Sequence, residues 1–152
     1  MQLTKNFTLS EFTASPTATA KGITEQFNPP QQVLNNIALL AARLQVAREL
    51  SGFSFNITSG YRCPRLNKAV GGVKDSAHLT GMAVDIKFND QAHADKLIDS
   101  LIKAGFKRIG LGGNFIHVDI DNAKPSPVCW LYGSKTPGWL AAKEQSIEAR
   151  LK

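Results

Sequence analysis

The sequence has few cysteines and no long apolar run, and each absence excludes a class of protein. Its only cysteines, Cys63 and Cys129, are too few for a disulfide-dense mini-domain or a four-cysteine zinc site, and the sequence does not decide whether they pair. No stretch approaches the roughly 18 to 20 consecutive apolar residues of a membrane span. The first 13 residues lack the features of an export signal, so we expect a soluble chain made in the cytoplasm.

The charge balance predicts an anionic partner without identifying it. Lysine and arginine number 18 against 12 acidic residues, a net charge of +6. Such an excess attracts nucleic acid, acidic lipid or an acidic cell-wall polymer. No aromatic-basic stripe or recognition motif supports a nucleic-acid binder, and the glycine pairs lack the spacing of a phosphate-binding loop.

The apolar spacing predicts an α+β domain with an antiparallel sheet and flanking helices. Apolar residues recur every three or four positions at 33–50, after the helix entrance Asn28-Pro29-Pro30, and again at 94–102. Alternation predicts strands at 53–58, 82–88, 107–111 and 115–120, with a hairpin turn at 112–114. We interpret residues 1–28 as an irregular arm on a single domain spanning 1–152, with a closing helix at 140–151.

Two of the three histidines lie in polar segments that carry the candidate chemistry. Strand alternation places Asp85 and His117 on the faces opposite the aliphatic ones, and His78 precedes a turn at Gly81 that leads toward Asp85. Two imidazoles and one carboxylate suit zinc, which in catalytic sites keeps its fourth position for water. On spacing alone the alternatives stay open, because such a His-Asp pair is common by chance and a strand histidine is more often structural.

The segment Ser76-x-His78-x-x-Gly81-x-Ala83-x-Asp85 resembles the signature of the zinc D-Ala-D-Ala carboxypeptidase-type metallopeptidases. This family comprises D-Ala-D-Ala carboxypeptidases, vancomycin-resistance dipeptidases and phage L-alanyl-D-glutamate endolysins, and the Hedgehog signalling domain is a structural relative. Further segments resemble the carboxypeptidase branch in the same order along the chain: FTLSEF at 7–12, TSGYR at 58–62, LNKAVGG at 66–72 and FIHVD at 115–119.

The resemblance implies a Hedgehog-like α+β fold and one zinc ion held by His78, Asp85 and His117. It also implies that Arg62 directs its planar guanidinium at a substrate carbonyl or terminal carboxylate, and that Ser76 hydrogen-bonds the substrate. The plainer alternatives are a surface ion pair for Arg62 and a turn cap for Ser76.

One departure from the family pattern concerns the general base. The family usually places Glu, Asp or His two or three residues before the last zinc histidine, where this chain has Asn114 and Phe115. Asp119 shares a strand face with His117, so we expect it to act as the base or as the carboxylate that orients a ligand imidazole. Asp121 is the weaker candidate.

Together these features predict a zinc-dependent peptidase that hydrolyses peptidoglycan stem peptides and most resembles a D-Ala-D-Ala carboxypeptidase. The alternatives are an L-Ala-D-Glu endopeptidase of the phage endolysin type and a non-catalytic zinc-containing module that binds wall peptide or protein. We expect a monomer, encoded by a phage or a bacterial prophage, that reaches the wall when a phage delivers it. Its positive charge would then hold it near the anionic wall.

Overall fold

The computed structural model describes residues 1–152 as helices arranged around one five-stranded sheet. The helices are α1 (Leu9–Thr13), α2 (Pro16–Lys21), α3 (Gln31–Ser51), α4 (Pro64–Ala69), α5 (Gln91–Lys103), α6 (Gly138–Ala141) and α7 (Glu144–Leu151). The strands are β1 (Ile57–Ser59), β2 (Ala83–Lys87), β3 (Arg108–Leu111), β4 (Phe115–Asp119) and β5 (Val128–Leu131), and 3-10 turns occupy Thr24–Phe27, Ala77–Thr80 and Gly133–Lys135. The predicted α+β class is confirmed.

The sheet is mixed, whereas the sequence predicted an antiparallel one. Its strand order is β1-β2-β4-β3-β5, and every neighbouring pair is antiparallel except β3 and β5, which run parallel. Strand β5 was not predicted, because four residues after a proline-rich stretch are too few to show alternation. The chain after β4 thus returns to the sheet and adds β5 as the edge strand next to β3.

The core lies between one face of the sheet and the helices α3 and α5. The alternating residues of β2 and β4 that were predicted to be aliphatic and buried are buried, and they join the apolar stripes of both helices in one cluster. Helix α3 ends at Gly52, which has a φ of +77°, a backbone conformation that glycine adopts without strain. The opposite face of β2 and β4 is left free to carry polar side chains.

Several predicted boundaries change in the structure. The strand predicted at 53–58 is replaced by the shorter β1 (Ile57–Ser59), and before it the Asn56 carbonyl still accepts from the Lys87 amide of β2. The arm is more regular than predicted, because Ser15 caps α2 by accepting a hydrogen bond from the Ala18 amide. The predicted closing helix is two helices, α6 and α7.

A buried glutamine fastens the arm to the segment that precedes α4. The Gln26 side chain is fully buried; its Nε2 donates to the carbonyls of Thr13 and Tyr61, and its Oε1 accepts from the Cys63 amide. The Tyr61 amide donates to the Phe12 carbonyl at 2.7 Å. The backbone on both sides of Arg62 is therefore held in place by the arm.

The folded chain bears on two points raised by the composition, the pairing of the cysteines, which the sequence left open, and the absence of a membrane span. Cys63 and Cys129 are both free and buried, so they form no disulfide with each other. None of the helices has the length and apolarity needed to cross a membrane.

Candidate metal centre

The ladder of the sheet brings Asp85 and His117 together. Asp85 on β2 lies directly opposite His117 on β4, and the row continues to Gly110 on β3 and Trp130 on β5. Residues directly opposite each other in antiparallel strands have adjacent side chains. His117 Nδ1 accordingly lies 3.0 Å from Asp85 Oδ1.

A 3-10 turn supplies the third candidate ligand, His78. Ser76 caps this turn by accepting from the His78 amide, and Gly81 ends it with a φ of +75°. The Arg62 amide donates to the His78 carbonyl at 3.0 Å, which joins the turn to the segment before α4. His78 Nε2 then lies 3.3 Å from Asp85 Oδ1, so the three predicted ligands converge.

The hydrogen bonds on the far side of each imidazole determine which nitrogen faces the centre. The Gly60 carbonyl can only accept, so His78 Nδ1, 2.6 Å away, carries the proton and Nε2 keeps its lone pair. His117 Nε2 donates to Asp119 Oδ2 at 2.7 Å, which leaves the lone pair on Nδ1 when the ring is neutral. Two nitrogen lone pairs and one carboxylate oxygen thus face one another.

This arrangement fits a metal cation. The three ligand atoms all lie within 4.8 Å of one another, and both histidines are less than 5% exposed. Three converging acceptors repel each other unless a proton or a cation lies between them. Two imidazoles and one carboxylate are a ligand set of catalytic zinc sites, which use three protein ligands.

The hydrogen bonds of Asp119 favour the orienting role over that of the general base. Its Oδ2 accepts from His117, while its Oδ1 accepts from Arg108 Nε at 2.7 Å and from the Asp121 amide at 3.1 Å. The side chain is buried, and both oxygens are engaged on the side of His117 away from Asp85. Asp121 accepts from the Ala123 amide and from Lys124, so it does not touch either histidine.

The charges around the centre shift its pKa values in opposite directions. Burial raises the pKa of Asp85, but the hydrogen bonds from His117 and His78 outweigh burial and hold that pKa well below its usual value. Burial lowers the pKa of His117, but Asp119 and Asp85 outweigh burial and raise that pKa above its usual value. A carboxylate on each side of the ring thus favours a positive charge at this centre.

The ligands open into a cleft of about 530 Å³ whose walls differ in character. One side is aromatic: the rings of Trp130 and Tyr132 lie 5.3 and 5.8 Å from the His117 ring, and Phe115 packs on Tyr132. The lining also includes the cations Arg62, Arg108 and Lys124. The cleft is therefore suited to a ligand with both apolar and anionic or carbonyl groups.

Two glycines make room for these walls. A Cβ on Gly110 would lie 2.5 Å from the Tyr132 ring and 2.9 Å from the Trp130 ring, so only glycine lets both rings reach His117. A Cβ on Gly72 would lie 2.9 Å from an Arg62 guanidinium nitrogen. The Gly110 role was not predicted, because it depends on β5 lying next to β3.

Arg62 and Ser76 lie together in the cleft, and both plainer alternatives can be compared with the structure. Ser76 does cap the turn of His78, and its Oγ also accepts from Arg62 Nη2 at 3.4 Å. Arg62 forms no ion pair; its Nε is buried without a hydrogen-bond partner. Most buried polar atoms in folded proteins are hydrogen-bonded, so this guanidinium retains capacity for a ligand.

Sequence reasoning missed the groups that depend on tertiary packing. These are the Gly60 carbonyl behind His78, Arg108 behind Asp119, and the aromatic pair of Trp130 and Tyr132. Every residue has a backbone carbonyl, so the sequence does not show which carbonyl will contact a histidine. The spacing of Trp130 and Tyr132, two residues apart, was the available signal, because it places both rings on one face of a strand.

We expect zinc affinity to rise with pH as far as the raised pKa of His117 and to level off above it, because below that pKa zinc must displace a proton from the ring. The raised pKa of His117 stabilises the zinc-free fold below the pKa of the unfolded chain, and this contribution is lost as the pH rises through the folded pKa. Calorimetric titration in buffers of different ionisation enthalpy measures the protons released. Zinc affinity independent of pH between about 6 and 9 would contradict the assignment.

The family comparison agrees with this geometry. Residues 5–119, more than two thirds of the chain, match the family Peptidase M15. The match includes most of the arm together with His78, Asp85 and His117, and it ends at Asp119. A comparison with curated proteins found no match. Peptidases of this family depend on zinc, and the chain belongs to the Peptidase M15 family of metallopeptidases.

Proposed function

We propose that the protein is a zinc peptidase that hydrolyses the stem peptides of bacterial peptidoglycan, with His78, Asp85 and His117 as the ligands of one zinc ion. The observation that carries the proposal is the convergence of three lone-pair donors in a cleft that also contains the Arg62 guanidinium, whose Nε has no hydrogen-bond partner. A zinc ion bound there would activate a water molecule at neutral pH, and the ion would also polarise the peptide carbonyl. No side-chain nucleophile is then required.

The chain's own residues orient the peptide and hold the ligands. Arg62 is proposed to donate to a substrate carbonyl or carboxylate, since its guanidinium lies in the cleft and its Nε has no hydrogen-bond partner in the protein. Asp119 and the Gly60 carbonyl hold the two imidazoles in the tautomers that face the centre. Burial raises the pKa of Tyr132, so its hydroxyl remains a hydrogen-bond donor in the cleft.

The proposal is tested by incubating the zinc-loaded protein with a purified stem pentapeptide and identifying the products by mass spectrometry. We expect fragments that disappear when zinc is removed. We also expect Arg62→Ala to lower kcat/KM by about 10- to 100-fold, because a charge-assisted hydrogen bond contributes roughly 1.5–3 kcal/mol. Arg65→Ala is the control, since Arg65 is exposed and pairs with Glu25 outside the cleft.

A non-catalytic module is the second candidate, and one observation favours it. Asn114 and Phe115 stand where the family usually has an acid, and Asp119 is engaged with His117 and Arg108. A protein that binds one zinc ion and the pentapeptide but releases no fragment would establish this alternative.

Equal kcat/KM for wild type and Arg62→Ala would overturn the role of Arg62.

A further inference from the structure

A second cavity of about 290 Å³ adjoins the metal cleft, and we call it the arm pocket. It lies between the α1–α2 segment of the arm and strand β1, and it shares Arg62 and Val70 with the metal cleft. Its lining residues are Ala14, Ser15, Pro16, Thr17, Thr58, Ser59, Tyr61, Arg62, Leu66 and Val70. A chain bound at the metal centre therefore reaches the arm pocket by passing Arg62.

The position of Arg62 decides whether a substrate must end there. Its Nη2 contacts Ser76 inside the metal cleft, and no protein carboxylate pairs with it. A wall of protein beyond Arg62 would require a peptide that stops at a terminal carboxylate. The arm pocket provides space on that side instead, so Arg62 has room to bind the carbonyl of a chain that continues.

The chemistry of the arm pocket suits an uncharged stretch of peptide. Apart from Arg62, its lining contains no charged side chain and includes four hydroxyl residues, Ser15, Thr17, Thr58 and Ser59, together with apolar Leu66 and Val70. Strand β1 is an edge of the sheet, so no further strand pairs with its outer side. Hydroxyls beside an edge strand provide hydrogen-bonding groups for the backbone of an extended peptide.

We propose that the arm pocket is a substrate subsite that binds the residues following the cleaved bond, so that the enzyme cuts within a stem peptide and does not trim its last residue. This inference rests on the proposed function, because it takes the peptide bond to be cut at His78, Asp85 and His117. Of the predicted reactions it favours the endopeptidase over the carboxypeptidase. Residues 14–17 of the arm then contribute to substrate specificity.

The test starts from the zinc-loaded full chain and the synthetic pentapeptide N-acetyl-L-Ala-D-Glu-L-Lys-D-Ala-D-Ala. Mass spectrometry locates the cut bond, and the peptide is then shortened until one residue follows that bond. We expect an internal cut and a KM at least about tenfold higher for the shortened peptide, which corresponds to about 1.4 kcal/mol of lost binding. Release of the terminal D-Ala alone, or equal KM values, overturns the proposal.

Matched variants on α2 assign the effect to the arm pocket. Thr17→Trp places a large ring in the pocket, and we expect it to raise KM at least tenfold for the pentapeptide but not for the shortened one. Thr19→Trp is the control, since Thr19 is exposed on the same helix and does not line the pocket. Equal effects of Thr17→Trp on both peptides would contradict a subsite.

Binding measurements separate this proposal from the proposed function. If the wild type cuts nothing, the proposed function fails, and amide NMR shifts of the zinc-loaded protein still report where the pentapeptide binds. Shift changes at Ser15, Thr17, Thr58 and Ser59 that the truncated peptide N-acetyl-L-Ala-D-Glu does not produce support the subsite. Changes confined to the metal cleft, or absent altogether, overturn it.

Discussion

Replacement of Asp85 by Ala is expected to lower peptidase activity by at least about 1,000-fold. Asp85 Oδ1 is the atom toward which both histidine nitrogens converge, so its loss removes one ligand and the negative charge that attracts the cation. A metal that polarises a carbonyl contributes several kcal/mol of transition-state stabilisation, and 4 kcal/mol corresponds to about 1,000-fold. The measurement is the rate of stem-peptide hydrolysis at saturating zinc.

Asp75→Ala is the matched control for this variant. Asp75 is an exposed carboxylate near the cleft rim, where its backbone carbonyl accepts from Lys124, and it is not among the converging ligands. We expect the Asp75→Ala protein to keep an activity close to that of the wild type. Substantial activity in folded Asp85→Ala protein, checked by circular dichroism, would contradict the assignment of Asp85 as a ligand.

Replacement of Asp119 by Asn is expected to weaken zinc binding by about 10- to 100-fold and to lower the free energy of unfolding by roughly 3 kcal/mol. Asp119 accepts three hydrogen bonds, from His117, Arg108 and the Asp121 amide. An asparagine has one oxygen, so its NH₂ must face either Arg108 or His117. In the first case the partly buried Arg108 guanidinium loses its carboxylate and keeps only the Pro125 carbonyl, and in the second His117 is driven to the wrong tautomer.

Zinc affinity measured by competition with a chromogenic chelator, together with chemical denaturation, tests both effects. Asp121→Asn is the control, because Asp121 is buried nearby but bonds Ala123 and Lys124 and does not contact His117. We expect the zinc affinity of the Asp121→Asn protein to match that of the wild type. Unchanged zinc affinity in Asp119→Asn would show that Asp119 does not orient His117, and would leave its role as general base to be tested by activity.

The parts of the fold that follow from local pattern were predictable from the sequence. The spacing in α3 and α5 and the alternation in β2 and β4 identified the buried faces, because a face that packs on the core must be apolar at the period of its own element. The same alternation placed Asp85 and His117 on the free face. Their direct pairing in the ladder was not predictable in the same way, because α5 and β3 separate β2 from β4 along the chain.

The remaining parts depend on contacts between distant segments. Strand β5 pairs in parallel with β3, and nothing within its four residues indicates that partner. The role of Asp119 depends on Arg108 lying opposite it in the ladder, and the tautomer of His78 depends on a backbone carbonyl at Gly60. The arm pocket depends on the arm lying beside β1, and Gln26 holds the arm there by joining Thr13 to Tyr61 and Cys63.

The most direct test of the central claim is the metal content of purified wild-type protein beside His78→Ala and Asp85→Ala. Elemental analysis after dialysis against trace zinc gives the number of ions per chain. We predict one zinc ion per chain in the wild type and a large loss in both variants, because each removes one of three converging ligands. A wild-type protein without zinc, or variants that keep a full complement, would contradict the account.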